Sequence, residues 1–269
     1  MKSRVMGFSG SLPAQPVVFL HEDSERRPLV NGKAQKITIL EPGQKKSGDD
    51  FFVIRASGFG EVGPGDFVSF SEGVILRMDP AIHDGSMFVV RPGFISVSST
   101  LEVWSSIQAG VLTVSDKGSR GERIDTSGPA LEAALLGIGV STLMREIVPD
   151  DAEKISRILG EWISSGKIPL VLVTGGTGLS PRDVTPEALL SLGGKIVPGL
   201  GEFMRWKTSF LNERSILSRA FAVACEKTLV ISLPGSEKGA IECFSSISSV
   251  LRHALEILSG KGTNCGSSH

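Results

Sequence analysis

The densest group of residues suited to phosphate chemistry is Val173-Thr-Gly-Gly-Thr-Gly-Leu-Ser-Pro-Arg-Asp-Val-Thr-Pro-Glu187. Gly175, Gly176 and Gly178 let backbone N–H groups approach a phosphate closely, and Thr177 adds a hydroxyl donor. Arg182 and Asp183 then set a guanidinium and a carboxylate beside the loop. Such a carboxylate suits Mg²⁺ held between protein and substrate phosphates. On composition alone an equal alternative stays open, a connection built of turn formers with a surface Arg–Asp pair. Two more loops share this character: residues 115–129, with Asp116 and Ser127, and residues 233–239, with Ser236 and Lys238. Asp150 fits the N-cap of a helix with Glu153 at N3, a capping-box arrangement that competes with a role in a site.

Other chemistries lack support. Cys225, Cys243 and Cys265 are an odd number without CxxC spacing, and His21, His83, His253 and His269 are scattered, so zinc and disulfide frameworks are not indicated. No GxSxG elbow is present. Gly58-Phe-Gly60-Glu-Val-Gly63 matches the GxGxxG string, but Pro64-Gly65-Asp66 and a strand-like run follow it where a helix would have to open. It reads as a turn between strands. His83-Asp84-Gly85 also reads as a turn.

The elements that must carry these loops alternate. From Ala109 the pattern predicts strands at 110–115, 140–148 and 168–174 and a helix over 127–136. A second helix after Asp150 has Ile155, Ile158, Leu159, Trp162 and Ile163 on one face. A third begins at Thr185-Pro-Glu187, paired strands flank Glu226-Lys227, and a last helix runs near 237–258. The fold class expected is α/β, a mostly parallel sheet with helices on both faces, in which the three loops share the carboxyl edge.

Ahead of it lies a different pattern. Short β-type runs at 36–40, 51–56, 66–70, 74–78, 87–91 and 94–98 alternate with Gly/Pro/Asp turns, which predicts a small all-β domain over 1–108, antiparallel or barrel-like. Residues 11–32 read as loop, 99–108 as linker and 261–269 as a disordered tail, leaving 109–260 as the second domain.

At 41% hydrophobic and 21% charged residues, the 269-residue chain can fill a globular core. Its net charge of -1 argues against sequence-independent nucleic-acid binding, and no apolar run reaches the ~18–20 residues of a membrane span. Met1-Lys2-Ser3-Arg4 opens no apolar signal segment, so a reducing, cytoplasmic setting is expected.

The ordered set Val114-Ser-Asp116, Asp125-Thr-Ser-Gly-Pro129, Val148-Pro-Asp150, Thr174-Gly-Gly-Thr-Gly178, Arg182-Asp-Val-Thr-Pro-Glu187, Pro198-Gly-Leu-Gly-Glu202, Leu217-Ser-Arg219 and Leu233-Pro-Gly-Ser236 closely resembles the MogA/MoaB family of molybdenum-cofactor biosynthesis proteins. The resemblance spans about 109–260, and Arg182-Asp-Val-Thr-Pro is similar to the MogA-type branch, the molybdopterin adenylyltransferases. It implies Mg²⁺-dependent transfer of AMP from ATP to the terminal phosphate of molybdopterin, with release of pyrophosphate. Carboxylates matching Asp150 and Asp183 are regarded as essential in the family, which implies metal or phosphate positioning. The same resemblance implies nucleotide and phosphate contacts from Gly175, Gly176, Thr177, Gly178, Ser236 and Lys238, with Asp116, Ser127 and Arg205 on the same edge. Arg219 stays open between the site and a structural ion pair. The family commonly forms homotrimers, and its pathway implies a molybdate-insertion partner protein. A non-catalytic molybdopterin-binding carrier or regulatory module is the alternative. The first 108 residues are not part of the minimal family fold; a MOSC-like barrel and a non-catalytic contact module are both open, although the stretch lacks the cysteine on which sulfur-carrying MOSC proteins depend.

Overall fold

The structure, a computed structural model, describes residues 2–9, 17–46, 51–81 and 84–260. The expected tail at 261–269, with Cys265 and His269, and His83 of the expected turn lie outside the described residues. The chain divides into two compact units, Met1–Ser106 and Ile107–His269.

The first unit is all β: β1 (Lys2–Ser9), β2 (Val17–Glu22), β3 (Pro28–Val30), β4 (Lys33–Ala34), β5 (Lys36–Leu40), β6 (Phe51–Ser57), β7 (Phe67–Phe70), β8 (Ile75–Met78), β9 (Met87–Arg91), β10 (Gly93–Ser96) and β11 (Thr100–Trp104). Seven of them close a barrel in the order β1-β11-β7-β8-β9-β5-β6, and β10-β2-β3-β4 form a second sheet. Only β5 and β6 pair in parallel within the barrel. Ile37, Ile54, Val68, Leu76 and Leu101 are in its core.

Two expectations for this unit fail. Residues 17–30 hold strands, because Val18, Leu20 and Val30 bury themselves while their neighbours stay outside, and Pro28 sits at a strand's first residue, where no ladder N–H is needed. The supposed linker is mostly strand: Leu101 is buried in β11, and β12 begins at Ile107. The GxGxxG string lies between β6 and β7 with no helix after it, and Asp66 accepts the Gly63 N–H at 2.9 Å.

The second unit contains β12 (Ile107–Val114), α1 (Asp116–Ser119), α2 (Ser127–Leu136), β13 (Val140–Val148), α3 (Ala152–Ser164), β14 (Leu170–Thr174), α4 (Thr185–Leu190), β15 (Lys195–Val197), α5 (Pro198–Ser209), β16 (Ala222–Cys225), β17 (Thr228–Leu233) and α6 (Glu237–Leu258). A 3₁₀ turn spans Glu213–Leu217. The sheet order is β13-β12-β14-β17-β16-β15. The first four strands are parallel. β16 runs against both of its neighbours, β17 and β15, so the sheet is mixed. The cause is local: Glu226, at φ +53°, turns β16 straight back into β17, and a hairpin can only be antiparallel.

Both faces of the central strands are covered. In β14, Leu170 and Leu172 join the cluster built with Leu131 of α2, Met204 of α5 and Phe244 of α6. Val171 and Val173 point the other way, to Ile155, Leu159 and Trp162 of α3 and Leu189 of α4. This period-2 division of an unbroken apolar run is what a strand buried on both faces requires. β13 and β14 flank β12, so the chain switches sides of the sheet there, and a crevice opens beyond the carboxyl ends of β12 and β14.

Candidate functional site

Four connections leave the carboxyl ends of β12, β13, β14 and β17 and meet in that crevice. The glycine loop after β14 is tied on every side. Gly175 donates to the Leu233 carbonyl at 3.1 Å, and Thr174 Oγ1 donates to Pro234 at 2.7 Å. At φ +105° and pressed on the Val114 carbonyl, Gly175 has no room for a Cβ. Gly176, at φ +61°, would meet Thr185 Oγ1 and, at 3.2 Å, Asp150 Oδ1. Sequence reasoning left Arg219 undecided; it is a staple of this loop. It donates from Nε to the Gly178 carbonyl at 2.8 Å, reaches the Asp183 carbonyl, and pairs with Glu187.

The carboxylates are arranged differently from the capping expectation. Asp151, not Asp150, caps α3, accepting the N–H groups of Glu153 and Lys154 at 3.1 Å each. Asp150 is thereby left to face the crevice. Its Oδ2 accepts the Asp116 N–H at 3.0 Å, and its own N–H donates to Asp116 Oδ1 at 3.1 Å. The second oxygen of Asp116 is held by Arg182. That hydrogen bond lowers the pKa of Asp116, whereas burial raises that of Asp150, helped by the charges of Asp116 and Asp183. Asp183 stands across the loop, its Oδ2 accepting the Ser180 N–H at 2.9 Å.

Two cavities adjoin here. One, of about 450 Å³, is lined by Asp150, Ser127, Asp125, Arg123 and Gly175 among others. The other, of about 520 Å³, includes Thr177, Gly178, Asp183 and Arg214. Gly176, Gly235 and Ser236 line both, so one wall is common to the two spaces. Ser236 also caps α6, accepting the Gly239 N–H at 3.3 Å, which presents that helix's positive end to the same wall.

Of the residues singled out from the sequence, Asp150, Asp183, Gly175, Gly176, Thr177, Gly178, Ser127 and Ser236 come together around these cavities. Asp116 stands behind Asp150 as its partner and lines neither. Two basic residues do not arrive. Lys238 is outside both cavity walls, with 87% of its side chain exposed and Glu242 at 3.9 Å. Arg205 spends its guanidinium on the carbonyls of Ser218 and Ala220, at 3.3 and 2.7 Å. Arg123 and Arg214 supply the positive charge instead, one in each cavity. Asp125 was missed too. It accepts from Thr113 Oγ1, Ser127 Oγ and the Gly128 N–H at 2.9, 3.1 and 2.9 Å, which builds the start of α2; an Asp just ahead of Ser-Gly-Pro was the available signal.

Among the described residues no three His, Cys, Asp or Glu side chains group to hold a metal by themselves. Asp150 and Asp183 do fit an ion that takes one or two carboxylates and completes its shell with phosphate oxygens. Ionised Asp150 is disfavoured by burial and by two neighbouring carboxylates, an imbalance that a divalent cation offsets.

An open α/β sheet whose strand-end loops frame two adjoining cavities beyond the carboxyl ends of its parallel strands has the architecture of a ligand-binding α/β protein. The chain belongs to the family described as "Probable molybdopterin binding domain", whose model matches residues 110–253. It is 39% identical over 154 residues to the molybdenum cofactor synthesis protein cinnamon of Drosophila melanogaster, covering 57% of this chain and 26% of that protein. It is 35% identical to the molybdopterin adenylyltransferase of Helicobacter pylori J99, covering 58% of this chain and 89% of the relative. Among solved structures, the molybdopterin biosynthesis enzyme MoaB of Thermus thermophilus superposes with a TM-score of 0.55 at 43% identity, covering 58% of this chain and 98% of that one. The chain thus spans about a quarter of the length of cinnamon, and these matches extend over little more than half of its own. Among the described residues no helix is long and apolar enough to cross a membrane.

Proposed function

We propose that residues 107–260 transfer AMP from ATP to the terminal phosphate of molybdopterin and release pyrophosphate. The observation that carries this reading is the wall of Gly176, Gly235 and Ser236 common to two cavities, one with Asp125, Asp150 and Arg123 and the other with Asp183 and Arg214. Two polyanions seated one per cavity bring their reacting phosphates to that wall. The Helicobacter relative, which this chain matches over 89% of its length, is named for this activity.

An oxygen of the molybdopterin phosphate attacks the α-phosphorus of ATP. The bond from that phosphorus to the bridging oxygen breaks, and the electron pair leaves with pyrophosphate. The nucleophile belongs to the substrate, so the chain's work is to bind, orient and compensate charge. The glycine loop presents its backbone, Arg123 and Arg214 face the anions, and the α6 N-terminus adds its positive end. Asp150 and Asp183 would hold Mg²⁺ together with substrate phosphates, and the ion supplies charge neutralisation during the in-line displacement.

The test is incubation of the protein with molybdopterin, ATP and Mg²⁺, following pyrophosphate. Release that requires all three supports the reading. Molybdopterin binding with pyrophosphate at background would leave a carrier or regulatory module.

A further inference from the structure

Arg182 is the residue on which the site's arrangement has the most to say. It precedes Asp183, whose carboxylate lines the second cavity, yet its own guanidinium lines neither cavity. It reaches out of the glycine loop to Asp116, the first residue of α1 just beyond β12, and among the described residues that carboxylate is its one side-chain partner. The arginine side chain is 68% exposed and that of Asp116 28%. Asp116 meanwhile keeps its other oxygen on the Asp150 N–H. The ion pair therefore joins the loop of one cavity to the loop of the other without occupying either.

We propose that this pair is an exchangeable latch: on arrival of the nucleotide, Arg182 leaves Asp116 and takes a phosphate of ATP. An exposed ion pair is weak, because water and salt screen it and two long side chains must be held still. A phosphate accepts both arms of a guanidinium and carries more charge than a carboxylate, so the exchange runs downhill once a polyphosphate is seated. Asp116 does not lose its place when the arginine leaves, because the two backbone hydrogen bonds to Asp150 remain. The latch rests on the adenylyl-transfer reading for its ligand.

The experiment is titration calorimetry of the full chain with ATP and Mg²⁺, on the unsubstituted protein, Arg182→Ala, Asp116→Asn and the double variant. Asparagine still offers an oxygen to the Asp150 N–H, so the second substitution loosens the latch and spares the clasp. Arg182→Ala is expected to weaken ATP binding about tenfold, and Asp116→Asn to tighten it about threefold. In the double variant the tightening disappears, because there is no arginine left to release. A pair that is only structural would weaken binding in both single variants, and that result overturns the latch. So does a tightening that persists undiminished without Arg182, since it reports only the removal of a negative charge. Arg182→Lys, which keeps the charge and lacks the fork, is expected to fall between, and behaviour equal to the unsubstituted protein overturns the exchange onto phosphate. If the unsubstituted protein does not bind ATP at all, the adenylyl-transfer reading falls and the latch with it; ATP binding with additive substitutions removes the latch alone.

Discussion

Asp116 and Asp150 hold each other through their own peptide groups. Each carboxylate accepts the other residue's backbone N–H, at 3.1 and 3.0 Å, and so the segments after β12 and β13 are clasped together where the crevice opens. Because the acceptor oxygens are Oδ1 of Asp116 and Oδ2 of Asp150, one oxygen of Asp150 is left beside Gly176. The clasp fixes a carboxylate where burial disfavours its charge, an arrangement that makes sense when a cation or a bound substrate compensates it.

Asp183→Asn should abolish turnover and leave the fold alone. Asparagine can still accept the Ser180 N–H, so the loop keeps its turn. We expect pyrophosphate release to fall at least about 100-fold, a size typical of losing one group that stabilises transition-state charge. Near-normal release at saturating ATP would remove Asp183 from the mechanism.

Asp150→Asn should separate stability from function. Burial raises the pKa of Asp150 above 3.8, so the folded state resists its ionisation. The sign follows: the stability this group contributes is complete below 3.8 and is lost as pH rises through its higher folded value. At pH 7 the neutral asparagine variant is therefore expected to melt at the same temperature as the unsubstituted protein or above it, with pyrophosphate release lost. Any advantage should vanish on acidification below 3.8. A variant that melts lower at pH 7 than at pH 4, relative to the unsubstituted protein, would contradict the assignment.

Arg219→Ala should loosen the glycine loop. The guanidinium holds the Gly178 and Asp183 carbonyls and the Glu187 carboxylate at once. Hydrogen bonds involving charged groups contribute roughly 1.5–3 kcal/mol in favourable settings, and exposure at Glu187 puts this case at the low end. A loss of about 1.5 kcal/mol corresponds to a fall in Tm of about 3–6 °C for a unit of this size. Lysine should not restore it, because one ammonium cannot satisfy three acceptors set apart like a fork. An unchanged Tm and unchanged turnover would count against the staple.

Gly110→Ala tests packing apart from chemistry. A Cβ on this β12 residue would lie 2.5 Å from Cε3 and Cζ3 of Trp162 in α3. Overpacking of this kind costs about 1–3 kcal/mol. Calorimetry should show a lower Tm, while ATP affinity below that temperature stays within about twofold. An undiminished Tm in the Gly110→Ala variant would mean that α3 has room to move away from the sheet.

Much of the second unit was legible because its signals are local. The bounds of α2 and α6, Ser127–Leu136 and Glu237–Leu258, agree with the sequence expectation: proline inside the first turn fixes one start, and Ser236 with an apolar stripe fixes the other. The first unit was less readable, since β2 buries only Val18 and Leu20 of its six residues and β11 only Leu101 of its five. Such short runs resemble loop in composition.

The order of glycines, aspartates and prolines along the chain determined the family, the loops that matter and the carboxylates worth watching. Only the tertiary structure decided where each of them stands and what it touches. The capping-box spacing to Glu153 points to Asp150, yet Asp151 caps α3, and a hydrogen bond from Asp116, 34 residues away, holds Asp150 at the crevice. Arg123 and Arg214 reach the cavities while Lys238 and Arg205 do not, because a cation's partner is set by which strand ends lie side by side. Spacing records neighbours along the chain, whereas the walls of a cavity are made by neighbours across a sheet.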